Sequence, residues 1–78
     1  MKTKDFKINR ITKDISTVVV LEDKTEFIMC GKIIDGILRS SIAPVFHQDD
    51  EFHNLSEEIQ NEIQDAAKNE FDRNYMKY

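Results

Sequence analysis

The chain has 78 residues, 40% of them hydrophobic and 33% charged, with a formal charge of −4. That length makes one domain whose small core buries about 60 to 65% of the unfolded surface, and the balance of residue types excludes the disordered class. No apolar run approaches the ~20 residues a membrane span needs, Met1-Lys2-Thr3-Lys4-Asp5 leads into no secretory core, and the lone Cys30 forms no internal disulfide, so a cytoplasmic setting is expected.

Residues 1–47 fall into four apolar segments separated by Lys13-Asp14, Asp23-Lys24 and Asp35-Gly36. This rhythm predicts an antiparallel meander with strands near 5–12, 15–22, 25–34 and 37–46. Asp35-Gly36 is the strongest turn signal, because both residues tolerate the positive φ angles of a type I′ turn. A two-residue hairpin at Asp23-Lys24 would pair Val20 with Phe27 and Val18 with Met29. One face would then hold Val18, Val20, Phe27 and Met29, and the other Val19, Leu21, Ile28, Phe6 and Ile8. Both faces would be apolar, so a single helix leaves one of them needing the 43–54 connection or a second subunit.

Gly31 interrupts the third strand and predicts a bulge there, and Pro44 predicts an edge position for residues 37–46. A competing reading makes 32–43 a helix, since Ile33, Ile34, Ile37, Leu38 and Ile42 also recur at helical spacing; Gly36 and the β-branched isoleucines oppose it.

Residues 48–54 are expected to be an acidic, histidine-bearing loop. His47 and His53, with Asp49 or Glu51, are acceptable ligands for a divalent transition ion, but their spacing matches no established site, so no metal and no cofactor is assigned. Gly31 to Gly36 has the glycine spacing of a phosphate loop, yet Ile37 and Leu38 stand where its cation and hydroxyl belong. Cys30 lies in an apolar strand that disfavours its thiolate. No catalytic residue emerges, and a non-enzymatic protein is expected.

From Leu55 to Tyr78, the positions Leu55, Ile59, Ile63, Ala66, Ala67, Phe71 and Tyr75 recur at three- and four-residue steps. The spacing predicts one long C-terminal amphipathic helix packed on the sheet, giving an α+β fold in a single domain over residues 1–78. At roughly 36 Å it would overhang strands of about 26 Å, exposing Phe71, Tyr75 and Tyr78. With Val18, Val20, Phe27 and Met29 these residues form the expected interface of a homo-oligomer, most simply a twofold dimer.

The phrase Val19-Val20-Leu21-Glu22-Asp23-Lys24-Thr25-Glu26-Phe27 resembles the strand-turn-strand of Sm-like RNA-binding barrels. Those barrels place their helix before the strands, whereas here it follows, and no function is carried over.

Charge is unevenly spread, at +3 over residues 1–14 and −6 over residues 49–78. The expected function is therefore that of a small regulator or inhibitor recognising a basic protein surface through Asp49, Asp50, Glu51, Glu57, Glu58, Glu62 and Asp65. The alternative is an oligomeric module that binds a small molecule or nucleotide at a subunit interface through Lys7, Arg10, Lys32 and Arg39. Direct nucleic-acid binding is disfavoured by the net negative charge.

Overall fold

The structure is a computed structural model and describes residues 1–34, 37–38 and 42–75. Its elements are β1 (Lys2–Asn9), β2 (Asp14–Val20), β3 (Glu26–Ile34), β4 (Ile37–Leu38), β5 (Ala43–Pro44), a 3-10 turn (Phe46–Gln48), α1 (Asp49–His53) and α2 (Glu57–Tyr75). The strands form an antiparallel meander in the order β1-β2-β3-β4, and the C-terminal helix packs on it, giving the expected α+β fold. β4 and β5 each pair antiparallel with β3: Ile37 and Leu38 with Ile34 and Ile33, and Ala43 and Pro44 with Cys30 and Met29. Residues 33–34, 37–38 and 43 are thus extended, against the helical reading of 32–43. The Asp35-Gly36 turn and Arg39 lie outside the described residues.

Both described hairpins turn on a lysine in the left-handed region. In the first, the Lys13 N–H donates to the Asn9 carbonyl at 2.8 Å, and the Asn9 side-chain oxygen accepts from the Ile11 and Thr12 amides at 2.9 and 3.1 Å. Lys13 has φ 67°. In the second, the Lys24 N–H donates to the Leu21 carbonyl at 3.0 Å, the Leu21 N–H donates to the Thr25 carbonyl at 2.8 Å, and Lys24 has φ 75°. The loop therefore spans three residues, Glu22-Asp23-Lys24, where a two-residue turn was expected. A type I′ turn needs two residues at positive φ, and Asp23-Lys24 contains no glycine; a type I turn closed by one left-handed residue needs only Lys24.

That extra residue moves the register by one. Val19 pairs with Phe27 and Thr17 with Met29, so the expected face of Val18, Val20, Phe27 and Met29 is divided. Phe27 and Met29 lie in the core with Ile15, Val19 and Ile33. Val18 and Val20 stay on the opposite, outer face with Ile28 and Cys30.

β2 and β3 pair without a break through Gly31, which faces Ile15, so no bulge forms there. The bulge sits in β1, where the register shifts between Lys4 and Lys7 and Asp5 takes φ 54°. Two residues, Asp5 and Phe6, thus oppose Thr17 alone. Thr17 is fully buried, and its hydroxyl donates to the Lys4 carbonyl at 2.9 Å.

α2 begins at Glu57 rather than Leu55, because the Ser56 hydroxyl caps it by accepting the Ile59 N–H at 3.3 Å. Its 19 residues make about 28 Å, comparable to strands of seven to nine residues, so the expected overhang is absent among the described residues. Ile63, Ala67 and Phe71 on α2 are buried against β1 and β2, with the Phe71 ring 6.4 Å from Phe6. Phe71 is consequently core and not interface. The Tyr75 side chain and Tyr78 lie outside the described residues.

The 48–54 segment is helical rather than a loop. α1 places Phe52 edge-on to Phe27 at 5.9 Å, on the same side of the sheet as α2. The connection therefore leaves the outer face uncovered.

Candidate functional site: an acidic helical surface

The acidic surface is built by the two helices. The apolar positions Ile59, Ile63, Ala67 and Phe71 face the sheet, so the intervening residues Glu58, Glu62 and Asp65, spaced by four and three, line up on the solvent side. Glu57 adjoins them in the first turn of α2, where the helix dipole favours negative charge. Asp49, Asp50 and Glu51 occupy the first turn of α1. All seven belong to this helical layer, and all but the half-buried Asp49 are exposed.

Their pairing differs sharply. Asp49 accepts from the His53 imidazole at 3.2 Å. Further along α2, Lys68 pairs with Asp72 at 3.0 Å and Arg73 with Glu70 at 3.1 Å. Asp50, Glu51, Glu57, Glu58, Glu62 and Asp65 form no ion pair among the described residues. Unneutralised carboxylates thus gather on α1 and the first half of α2, while the second half neutralises its own.

Glu70 has a different role. The Thr3 hydroxyl and the Asn74 side-chain amide both donate to its carboxylate. The Thr3 bond foremost, with Asn74 and Arg73 adding to it, holds the Glu70 carboxyl below the usual glutamate value of 4.5. This residue ties α2 to β1.

The outer sheet face carries the opposite charge. Lys2, Lys4 and Lys7 alternate onto it from β1, opposite Val20, Val18 and Ser16 respectively. Lys4 reaches diagonally over β2 to Glu26 at 2.9 Å, and Lys32 approaches its partner Asp14 at 3.9 Å. The hydrogen bond and charge of Glu26 raise the Lys4 pKa. Between these pairs lie half-buried Val18, Val20 and Cys30, with Ile28 at 37% exposure. Burial, then the charge of Asp14, pushes the Cys30 thiol up, which disfavours its nucleophilic form. Arg10 lies in the exposed β1–β2 loop. Of the four expected anion ligands, the structure therefore sets Lys7 and Lys32 on one face.

His47 lies in the 3-10 turn and His53 is engaged with Asp49. Among the described residues no three His, Cys, Asp or Glu side chains are grouped to hold a metal ion. No helix among the described residues is long and apolar enough to cross a membrane.

Two residues near the acidic surface escaped the sequence reading. Glu22 and Asp23 from the β2–β3 turn join Glu62 around one cleft. The signal was present in the Glu22-Asp23 pair, but a two-residue turn gave no reason to bring it to the helix. Comparison with protein-family models, with curated proteins and with solved structures finds no match.

Proposed function

We propose that this chain is a small, non-enzymatic binding protein that presents the acidic surface of α1 and α2 to a basic protein surface. One observation carries the reading: Asp50, Glu51, Glu57, Glu58, Glu62 and Asp65 lie exposed on adjoining helices with no cation paired to them among the described residues. Six carboxylates in one field repel each other, a cost that a cationic partner relieves on binding. The partner's field would also steer the encounter, so association slows as salt rises.

The test is capture from a lysate of the native source at low and high ionic strength, with E58K/E62K beside the wild type. The expected result is a partner retained at low salt by the wild type and lost both at high salt and to the charge-reversed variant. Retention by E58K/E62K at low salt would overturn the proposal.

A second reading draws on the outer face, where half-buried Val18, Val20 and Cys30 and exposed Ile28 lie between Lys7 and Lys32 with no helix over them among the described residues. On that reading the chain is an oligomeric module that binds an anionic small molecule between subunits. Sedimentation separates the two: a stable dimer broken by V18K favours the module, and a monomer at all concentrations removes it.

A further inference from the structure

A cleft of about 240 Å³ opens between the β2–β3 turn and the first half of α2, lined by Met1, Leu21, Glu22, Asp23, Ile59 and Glu62. Its walls are of two kinds. Leu21 and Ile59 are half-buried and pack against the core, so they form a fixed aliphatic floor. Glu22, Asp23 and Glu62 are exposed and set carboxylates at the rim. The Asp23 carboxylate is held by Thr25, whose side chain and backbone N–H both donate to it and keep it ionised. The Met1 amino group already donates to Glu22 at 3.1 Å, so a cation rests against this rim.

An aliphatic floor with an anionic rim is the negative image of a long basic side chain, whose methylene stem covers apolar surface while its charged head stays at the solvent edge. One water needs ~10 to 15 Å³ of such space, so about 240 Å³ has room for one such side chain. Three carboxylates offer more acceptors than the three donors of an ammonium use, whereas a guanidinium presents five in a planar fork. We infer that this cleft seats a single arginine side chain projecting from the basic partner, its stem on Leu21 and Ile59 and its guanidinium among Glu22, Asp23 and Glu62. The inference rests on the acidic-surface reading for the partner's identity, but its geometry is independent of it: two of its three carboxylates come from the turn and not from the helices.

The experiment titrates n-butylguanidinium, guanidinium, n-pentylammonium and n-pentanol into the full chain, following the methyl resonances of Met1, Leu21 and Ile59. The expected result is that n-butylguanidinium moves these methyls at lower concentration than any of the other three. E22Q/D23N should weaken it about tenfold, the weight of two exposed ion pairs. Asn at position 23 still accepts the Thr25 N–H, so the turn is kept and the loss reports on charge. Equal affinity for guanidinium, a stronger response to n-pentylammonium, or an unchanged response in E22Q/D23N would overturn the inference. If a partner is captured in an E58K/E62K-sensitive way while n-butylguanidinium leaves Leu21 and Ile59 unmoved, the cleft assignment falls and the surface reading stands. If the methyls respond as expected but no captured partner depends on Glu58 and Glu62, the surface reading falls and the cleft remains.

Discussion

The side-chain amide of Gln48 stands where a main-chain neighbour of Ile28 would be. Its oxygen accepts the Ile28 N–H at 2.8 Å, and its nitrogen donates to the Glu26 carbonyl at 2.9 Å. The chain has by then left the sheet: Val45 still donates to the Ile28 carbonyl at 2.9 Å, and the 3-10 turn begins at Phe46. Gln48 thus closes the end of an edge that would otherwise offer free backbone groups to another strand.

Replacing Gln48 by alanine is expected to cost about 1 to 2 kcal/mol, two ordinary hydrogen bonds at a net ~0.5 to 1 kcal/mol each. Urea unfolding measures the loss, and amide exchange at Ile28 should accelerate more than at Met29, whose amide faces its β2 partner Thr17 and not this edge. Q48E keeps the acceptor and loses the donor, so it should leave Ile28 protected while still destabilising.

Thr17 is the buried polar residue of the core among the described residues, and its hydroxyl donates to the Lys4 carbonyl beside the β1 bulge. Thr17→Val keeps the shape and removes the donor, with an expected cost of about 1 to 3 kcal/mol. A thermal melt showing no change would mean that the Lys4 carbonyl finds another partner.

Lys13 and Lys24 occupy left-handed positions that glycine fills without a steric penalty. K13G and K24G should each stabilise by up to about 1 kcal/mol, the loss of strain outweighing the added freedom of the unfolded chain. Denaturant midpoints of the two variants and of the double variant test this, and the sites are far enough apart in the sheet for the effects to add.

Glu70 makes stability depend on pH. Its folded-state pKa lies below the ordinary value of 4.5, so its contribution is complete above that value and is lost as pH falls through the depressed folded-state value. Glu70→Gln should therefore narrow the stability difference between neutral and acidic solution, as read from urea midpoints across that range. T3V should act in the same direction, since the Thr3 hydroxyl is the first cause of the shift.

Much of the fold was written in local pattern. The breaks at Lys13-Asp14 and Asp23-Lys24 mark both described turns, Pro44 marks the edge, and the spacing from Ile59 to Phe71 marks the face of α2 that is buried. What pattern could not resolve was a difference of one residue. Asp23-Lys24 reads equally as a two-residue turn or as the end of a three-residue one, and only backbone angles at Lys24 decide between them. Because side chains alternate, that one residue carried Phe27 and Met29 from a supposed interface into the core. The β1 bulge was invisible for a similar reason: Asp5 at positive φ leaves no compositional mark, whereas Gly31 advertises a bulge it does not make. For the acidic surface, helical spacing was sufficient to align Glu58, Glu62 and Asp65. The contribution of Glu22 and Asp23 needed the third dimension.

Thr3 and Glu70 lie 67 positions apart, yet they hold the first strand to the last helix. Hairpins between neighbouring strands close short loops, while this clasp must close almost the whole polypeptide. The meander should consequently assemble early and the clasp late, so pulsed hydrogen labelling during refolding should protect Val19 and Phe27 before Ile63 and Phe71. A ligand resting on both the β2–β3 turn and α2 would then act as a late fastener, slowing escape from the finished state while leaving the pace of its assembly unaltered.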